Sequence, residues 1–270
     1  MFFVSQTPDY LMPGSSMHIA ERLGLASSCY CVDINQGCAG YVYGMSMITS
    51  FMSSTKIKKA LLLVGDTITK LVSAKDKSIV PIFSDAGTAT ALEYNESSEE
   101  IFYNTSVFGS SYEAIMIRDG GGRKPITDES LIDEVDSTLN CRNGVQMRMQ
   151  GMNVFTFSIS KVHPNVLELM QYTKLKTQEI DYFVFHQANK LIVDNLANKL
   201  KIENEKVPCS LKQFGNTSGA SIPLTIVTEI ASPTNNIDAK LLLSGFGVGL
   251  SVASAIVNFN GVICPPLIEL

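Results

Sequence analysis

Residues 29–65 read CYCVDINQGCAGYVYGMSMITSFMSSTKIKKALLLVG. An apolar run of strand length at 29–34 passes through the turn NQG into AGYVYGMSMITSFM, which is apolar on nearly every side and therefore predicts a buried helix. A second apolar run, LLLVG at 61–65, follows. Strand, buried helix and strand in that order make the unit of a mainly parallel α/β sheet.

Outward from this stretch the pattern repeats. FVSQ begins at Phe3 and FVFHQ at Phe183, while LLLVG begins at Leu61 and LLLSG at Leu241, an offset of 180 in both pairs. Between them NQGCAG at 35–40 faces FGNTSG at 214–219, and Cys38 and Asn216 stand 178 apart. Three segments in the same order at nearly the same spacing indicate a duplicated half. Strands are predicted at 2–5, 29–34, 60–65, 182–185, 207–210 and 241–245. The second half carries more chain ahead of its FVFH strand, a strand at 146–150 and a helix over 153–170, with no counterpart in the first. If the halves are alike, residues ahead of Met1 are expected. The polar stretch 97–137, with strands near 101–107 and 114–117, connects halves expected at 1–140 and 141–270. Its GGGRKP at 120–125 has no phosphate-loop spacing and reads as a surface turn.

The chain has 270 residues, 45% of them apolar, and a formal net charge of -5. That balance speaks against a nucleic-acid partner, which requires a concentrated basic face. No leader pattern and no apolar run of spanning length is present, so a cytoplasmic protein with no membrane association is expected. The six cysteines include no C-x-x-C, and three histidines are too few to suggest a metal site; reduced thiols are expected.

Three residues sit where chemistry is possible. Cys38 precedes the buried helix, where the unpaired N–H groups of a helix start favour a thiolate. His186 ends the run DYFVF ahead of a helical pattern, the place where open α/β sheets collect active groups. Asn216 lies in a Gly-Asn-Thr-Ser-Gly turn opposite Cys38 in the repeat. Each also has a structural reading: a packed buried thiol, a satisfied imidazole, a helix cap. Their common position at strand-to-helix turns, brought together by the duplication, favours a shared site. Cys29, Cys31, Cys141, Cys209, Cys264, His18 and His163 read as structural.

DINQGCAG (33–40), HQANK (186–190), FGNTSGAS (214–221) and GFGVGLS (245–251) resemble, in order and spacing, the four signature stretches of the β-ketoacyl-ACP synthase III family, and IFSDAGTA (82–89) matches a further one. The resemblance runs from Phe2 to about residue 259. It implies a thiolase-like fold of duplicated α/β/α/β/α halves, the first N-terminally incomplete and lacking a central strand as well as residues that clamp the CoA adenine. It implies Cys38 as nucleophile and His186 with Asn216 as the decarboxylation pair. The reaction implied condenses an acyl-CoA or acyl-ACP primer with malonyl-ACP. The amides of Cys38 and of Gly247, Val248 and Gly249 would form the oxyanion site, with Phe246 as an apolar wall. Coenzyme A and phosphopantetheine thioesters would serve as substrates, and no cofactor is expected.

The likeness further implies an acyl-carrier protein as partner, docked near Lys190, Lys199 and Lys201, and a homodimer in which the YLMP loop reaches the neighbour's acyl pocket. Met12 in that loop stands where the family commonly has an aromatic gate; packing at the start of the following helix is an equal reading. Two other functions use the same features: a non-catalytic subunit that binds acyl-ACP or a partner chain, and acyl transfer from Cys38 without decarboxylation.

Overall fold

The computed structural model describes residues 1–55, 57–231 and 236–269. Phe2–Val4 (β1), Val32–Ile34 (β2), Lys59–Asp66 (β3) and Ala86–Glu93 (β4) form one sheet in the order β2-β1-β3-β4. β1 pairs in parallel on both sides, Phe2 facing Val32 on one strand and Leu62 on the other, and β4 returns antiparallel to β3. The sheet is therefore unbroken, and the expected gap at a central strand does not occur.

Phe102–Val107 (β5), Tyr182–Phe185 (β10), Asn236–Gly247 (β11) and Ser251–Ile263 (β12) form a second sheet ordered β10-β11-β12-β5. Between β5 and β10 the chain makes two short antiparallel ribbons: Ile115–Ile117 (β6) with Met147–Met149 (β9), and Glu134–Val135 (β7) with Cys141–Arg142 (β8). The repeat read from sequence reappears in space. β10 runs parallel to β11 and β12 returns antiparallel, as β1, β3 and β4 do. The division at residue 140 does not follow the sheets, because β5 has already joined the second one by pairing with β12.

The helices are Ser15–Arg22 (α1), Gly40–Ser54 (α2), Gly151–Phe157 (α3), His163–Thr173 (α4), Lys190–Leu200 (α5), Leu211–Phe214 (α6) and Ser221–Thr225 (α7). A π-helical segment, Ser158–Val162, joins α3 to α4, so the helix predicted over 153–170 is continuous. α2 touches β1 and β3 on one side and β11 and β12 on the other, and α7 touches β4, β10 and β11. Being sandwiched explains why α2 is apolar on nearly every side, with Tyr41, Val42, Met45, Ile48 and Met52 all buried and Ser50 and Ser53 exposed. Burying each large side chain there contributes about 1.5–3 kcal/mol. α1 lies outside the first sheet and α4 outside the second, which completes the α/β/α/β/α layers of the thiolase-like fold.

One predicted strand fails. Residues 207–210 join no sheet. Pro208 has no N–H for a ladder, and Ser210 instead donates its N–H to Gln187 Oε1 (3.1 Å). The GGGRKP stretch is an exposed turn closed by Gly120 N–H donating to the Lys124 carbonyl (2.8 Å). Among the described residues no helix is long and apolar enough to cross a membrane.

Candidate active site

β2 ends at Ile34, and the turn that follows closes when Gly40 N–H donates to the Gly37 carbonyl (2.7 Å), leaving Cys38 one residue ahead of the Ala39 cap of α2. The thiol is buried, 6% exposed. The end of β11 presses directly on it. A Cβ placed on Gly247, whose φ is +156°, would fall 2.8 Å from both Cβ and Sγ of Cys38, and one on Gly245 would fall 2.7 Å from the Ala39 Cα. Only glycine allows this approach, which gives the GFGVG run its physical reason.

The helix start does not decide the state of the thiol. The N–H groups of Val248 and of Cys38 itself, with the Ser218 side chain, favour a thiolate, but burial and then the charge of Asp66 outweigh them and push Cys38 up to about 11. The expected thiolate is thus a thiol at neutral pH. Asp66 is fixed by Gln6 N–H (2.7 Å), Ser5 Oγ (3.1 Å) and Thr7 Oγ1 (3.3 Å), all donating to Oδ1.

His186 continues the β10 ladder, its N–H donating to the Ser244 carbonyl (2.8 Å). The ring is 1% exposed and meets Phe246 edge to face, centroids 5.5 Å apart at 84°. Burial drives the imidazole down to about 3 against a hydrogen bond with the Ser218 backbone, so the ring is neutral at physiological pH. Nδ1 lies 2.7 Å from Ser221 Oγ, which also accepts from Gln187 N–H at 3.4 Å. The hydrogen bond with the Ser218 backbone raises the imidazole pKa and is therefore one the ring donates; with Nδ1 facing Ser221, the ring hydrogen sits on Nε2 and the Ser221 hydroxyl donates to Nδ1. Behind this pair Ser210 and Thr225 join hydroxyls (2.7 Å), and Thr225 donates to the Ser221 carbonyl (2.8 Å).

Asn216 is held by the IFSDAG stretch. Its N–H donates to the Ile82 carbonyl (2.9 Å), its carbonyl accepts from Ser84 N–H (3.0 Å), and Ser84 Oγ donates to the Phe214 carbonyl. Oδ1 accepts from Ser218 N–H (2.9 Å), which leaves the amide NH₂ as the group free to donate. Ser218 is the common element: its N–H holds Asn216, its side chain reaches Cys38 and its backbone reaches His186. Three loops distant in sequence thereby meet at one seryl residue. Ser218 and Ser221 went unnoticed in the sequence although both lie inside FGNTSGAS, because seryl residues ahead of a helix ordinarily read as caps.

Cys38 opens onto a cavity of about 200 Å³, whose wall also includes Ser218, Val248, Gln6 and Asn35. Phe246 stands behind His186 instead. Met12 does not line the cavity of its own chain; it is 84% exposed on the loop ahead of α1, the loop read as reaching a neighbour's pocket. Nor are all three lysines uncommitted. Lys190 Nζ pairs with both oxygens of Asp194 (2.7 and 2.9 Å), and Lys199 Nζ donates to the Ile159 carbonyl (2.8 Å), while Lys201 follows α5 in left-handed backbone.

Comparison with known proteins bears on this geometry. Two family descriptions match: "3-Oxoacyl-[acyl-carrier-protein (ACP)] synthase III" over residues 32–110 and its C-terminal counterpart over 170–259. A Campylobacter jejuni protein bearing the name 3-oxoacyl-(acyl-carrier-protein) synthase 3 is 32% identical over 261 residues, 96% of this chain and 72% of that one. A Streptococcus pneumoniae β-ketoacyl-(acyl-carrier-protein) synthase III is 28% identical over 254 residues, 93% of this chain and 75% of that one. The crystal structure of a 3-oxoacyl-(acyl-carrier-protein) synthase from Burkholderia xenovorans superposes with a TM-score of 0.91 at 33% identity, covering 100% of this chain and 75% of that one.

Proposed function

We propose a reaction on one premise: the chain belongs to the 3-oxoacyl-(acyl-carrier-protein) synthase III family and is a condensing acyltransferase. The reaction is a decarboxylative Claisen condensation of an acyl thioester primer with malonyl-ACP, giving 3-oxoacyl-ACP through an acyl group on Cys38. The observation that carries it is the meeting of Cys38, His186 and Asn216 around Ser218 beside a cavity.

In the first half-reaction the Cys38 sulfur bonds to the primer's carbonyl carbon and loses its proton as the carrier thiol departs protonated. The N–H groups of Cys38 and Val248, which already face the sulfur, are placed to hold the oxyanion. Malonyl-ACP then enters. The Nε2–H of His186 and the amide NH₂ of Asn216 donate to its thioester oxygen, so the electron pair released with carbon dioxide rests on an enolate. The enolate carbon attacks the acyl thioester, and Cys38 leaves as the new carbon–carbon bond forms. A neutral ring is what this needs, because it must donate a hydrogen bond without first taking a proton.

Incubation with acyl-CoA and malonyl-ACP tests the reading: 3-oxoacyl-ACP and carbon dioxide should appear together. Acyl transfer to another acceptor without carbon dioxide would overturn it. In the same assay Lys190→Glu with Lys199→Glu should raise the KM for malonyl-ACP about tenfold and leave Cys38 acylation by acyl-CoA within twofold, because the acidic carrier docks on this helix by charge. Equal loss in both half-reactions would instead assign the lysines to the fold.

A homodimer is proposed as well. Tyr10, Leu11 and Met12 are 62%, 94% and 84% exposed in one loop, a cluster that water disfavours and a second copy would cover. Sedimentation should show a discrete dimer whose loss on Leu11→Asp with Met12→Asp leaves a folded monomer. A well-behaved wild-type monomer contradicts the idea.

A further inference from the structure

Resting on His186 as a donor to the enolate, we infer that Ser221 is a positioning residue for decarboxylation: its hydroxyl donates to Nδ1 and keeps the ring presenting Nε2–H. Ser221 is the first residue of α7, and its Oγ lies 2.7 Å from Nδ1 while also receiving the Gln187 N–H at 3.4 Å. The hydrogen bonds behind it have fixed directions too. Thr225 Oγ1 gives its one hydrogen to the Ser221 carbonyl (2.8 Å), so in the 2.7 Å contact with Ser210 the serine donates. Ser210 N–H donates to Gln187 Oε1 (3.1 Å), and Gln187 Nε2 donates to the Phe185 carbonyl (2.8 Å), which ties the network back to the end of β10. Each hydroxyl hydrogen thus has one acceptor, and that of Ser221 has the imidazole.

Packing cannot do this by itself. Phe246 meets the ring edge to face, which fixes its tilt, but an imidazole turned over by a half-turn has nearly the same shape and would pack as well. Only a hydrogen-bond partner tells Nδ1 from the carbon that would replace it. Gln187, Ser210, Ser221 and Thr225 are each at most 2% exposed, and buried polar groups are costly unless paired, so the hydroxyl has nowhere else to turn. None of the four ionises. A carboxylate at the place of Ser221 would accept from Nδ1–H and leave Nε2 bare as a base. A hydroxyl that already receives an N–H reverses that polarity, which suits the ring to donate to an enolate oxygen and not to take the Cys38 proton through Nε2.

The experiment follows carbon dioxide release from labelled malonyl-ACP, acylation of Cys38 by acyl-CoA, and the nitrogen NMR signals of the histidine rings, all on the whole chain. Ser221→Ala should lower kcat for decarboxylation about tenfold to a hundredfold, the range for leaving a buried acceptor unpaired, with KM and acylation within about threefold. Ser221→Thr keeps the hydroxyl and should recover most of the loss. In a His186→Ala background Ser221→Ala should add less than about twofold, because the two groups act as one unit. Ser210→Ala removes a buried hydroxyl that does not touch the ring and should cost decarboxylation far less. Only three histidines contribute to the spectrum, so the signal missing from His186→Ala identifies the ring; in the wild type its Nε2 should carry the hydrogen and its Nδ1 should be bare. A hydrogen on Nδ1, undiminished decarboxylation in Ser221→Ala, the same loss in the His186→Ala background, or an equal loss from Ser210→Ala overturns the inference while leaving His186 as a donor. Undiminished decarboxylation in His186→Ala overturns the reading on which it rests. The wild-type spectrum decides the matter even if a variant fails to fold.

Discussion

Cys38→Ala abolishes acylation of the protein by the best acyl-CoA donor, a loss of about a thousandfold or more, and takes condensation with it. All six cysteines are free thiols, so chemistry and not availability must select one. Cys29, Cys31, Cys141 and Cys209 are partly exposed, whereas Cys38 is buried with the N–H groups of Val248 and of its own residue aimed at the sulfur. With the thiol raised to about 11, only about one molecule in ten thousand carries a thiolate at pH 7. Acylation should then climb about tenfold per pH unit between pH 7 and 9, since the ionised fraction grows in that proportion below the pKa. Mass spectrometry of peptides after a short incubation locates the adduct. A stable acyl group on another cysteine with Cys38 unmodified removes the assignment, and a pH profile that levels off near 7 shows that the helix start outweighs burial after all.

His186→Ala and Asn216→Ala each lower malonyl decarboxylation by about a hundredfold to a thousandfold, equivalent to roughly 3–4 kcal/mol for one oxyanion donor, and leave Cys38 acylation within about tenfold. The split arises because both groups act on the second substrate. The double variant should lose less than the product of the two losses, as both donate to one oxygen. In the wild type the decarboxylation rate should contain no ionisation from His186 between pH 5 and 8: its pKa is lowered to about 3 by burial, so the ring is already neutral throughout that range. Trapping carbon dioxide from labelled malonyl-ACP with acylated enzyme measures all of this. Wild-type release from both variants, or a histidine-dependent inflection near pH 6.5, would rule out a neutral donor pair.

The order of strands and helices was largely legible because it is written in local periodicity. The run at Tyr182–Phe185 is a strand between a turn and a helix, and it reads so from four consecutive residues. The apolarity of residues 41–52 on nearly every side announced a helix held between layers, and two sheets do cover it, leaving Met47 and Ser50 on its exposed side. The duplication was visible as an offset of 180 in two pairs of segments. Where a local signal misled, a single residue explains it: Pro208 withholds the donor that a strand at 207–210 would require.

What sequence could not reveal depends on groups far apart along the chain. The strand at Phe102–Val107 was foreseen, but its place beside β12 is decided by pairing over a span of some 150 residues. Cys38 was legible as a thiol at a helix start, yet its protonation follows from desolvation and from Asp66, neither of which is local to it. Ser221 became significant only when α7 placed its hydroxyl 2.7 Å from His186 Nδ1. By itself the sequence determined the family, the duplicated architecture and the residues with chemical potential, because composition, spacing and period are local properties of a chain. The tertiary structure decided the charge state of the thiol, the tautomer of the histidine and the size of the cavity, because those depend on which distant groups exclude water from the same small volume.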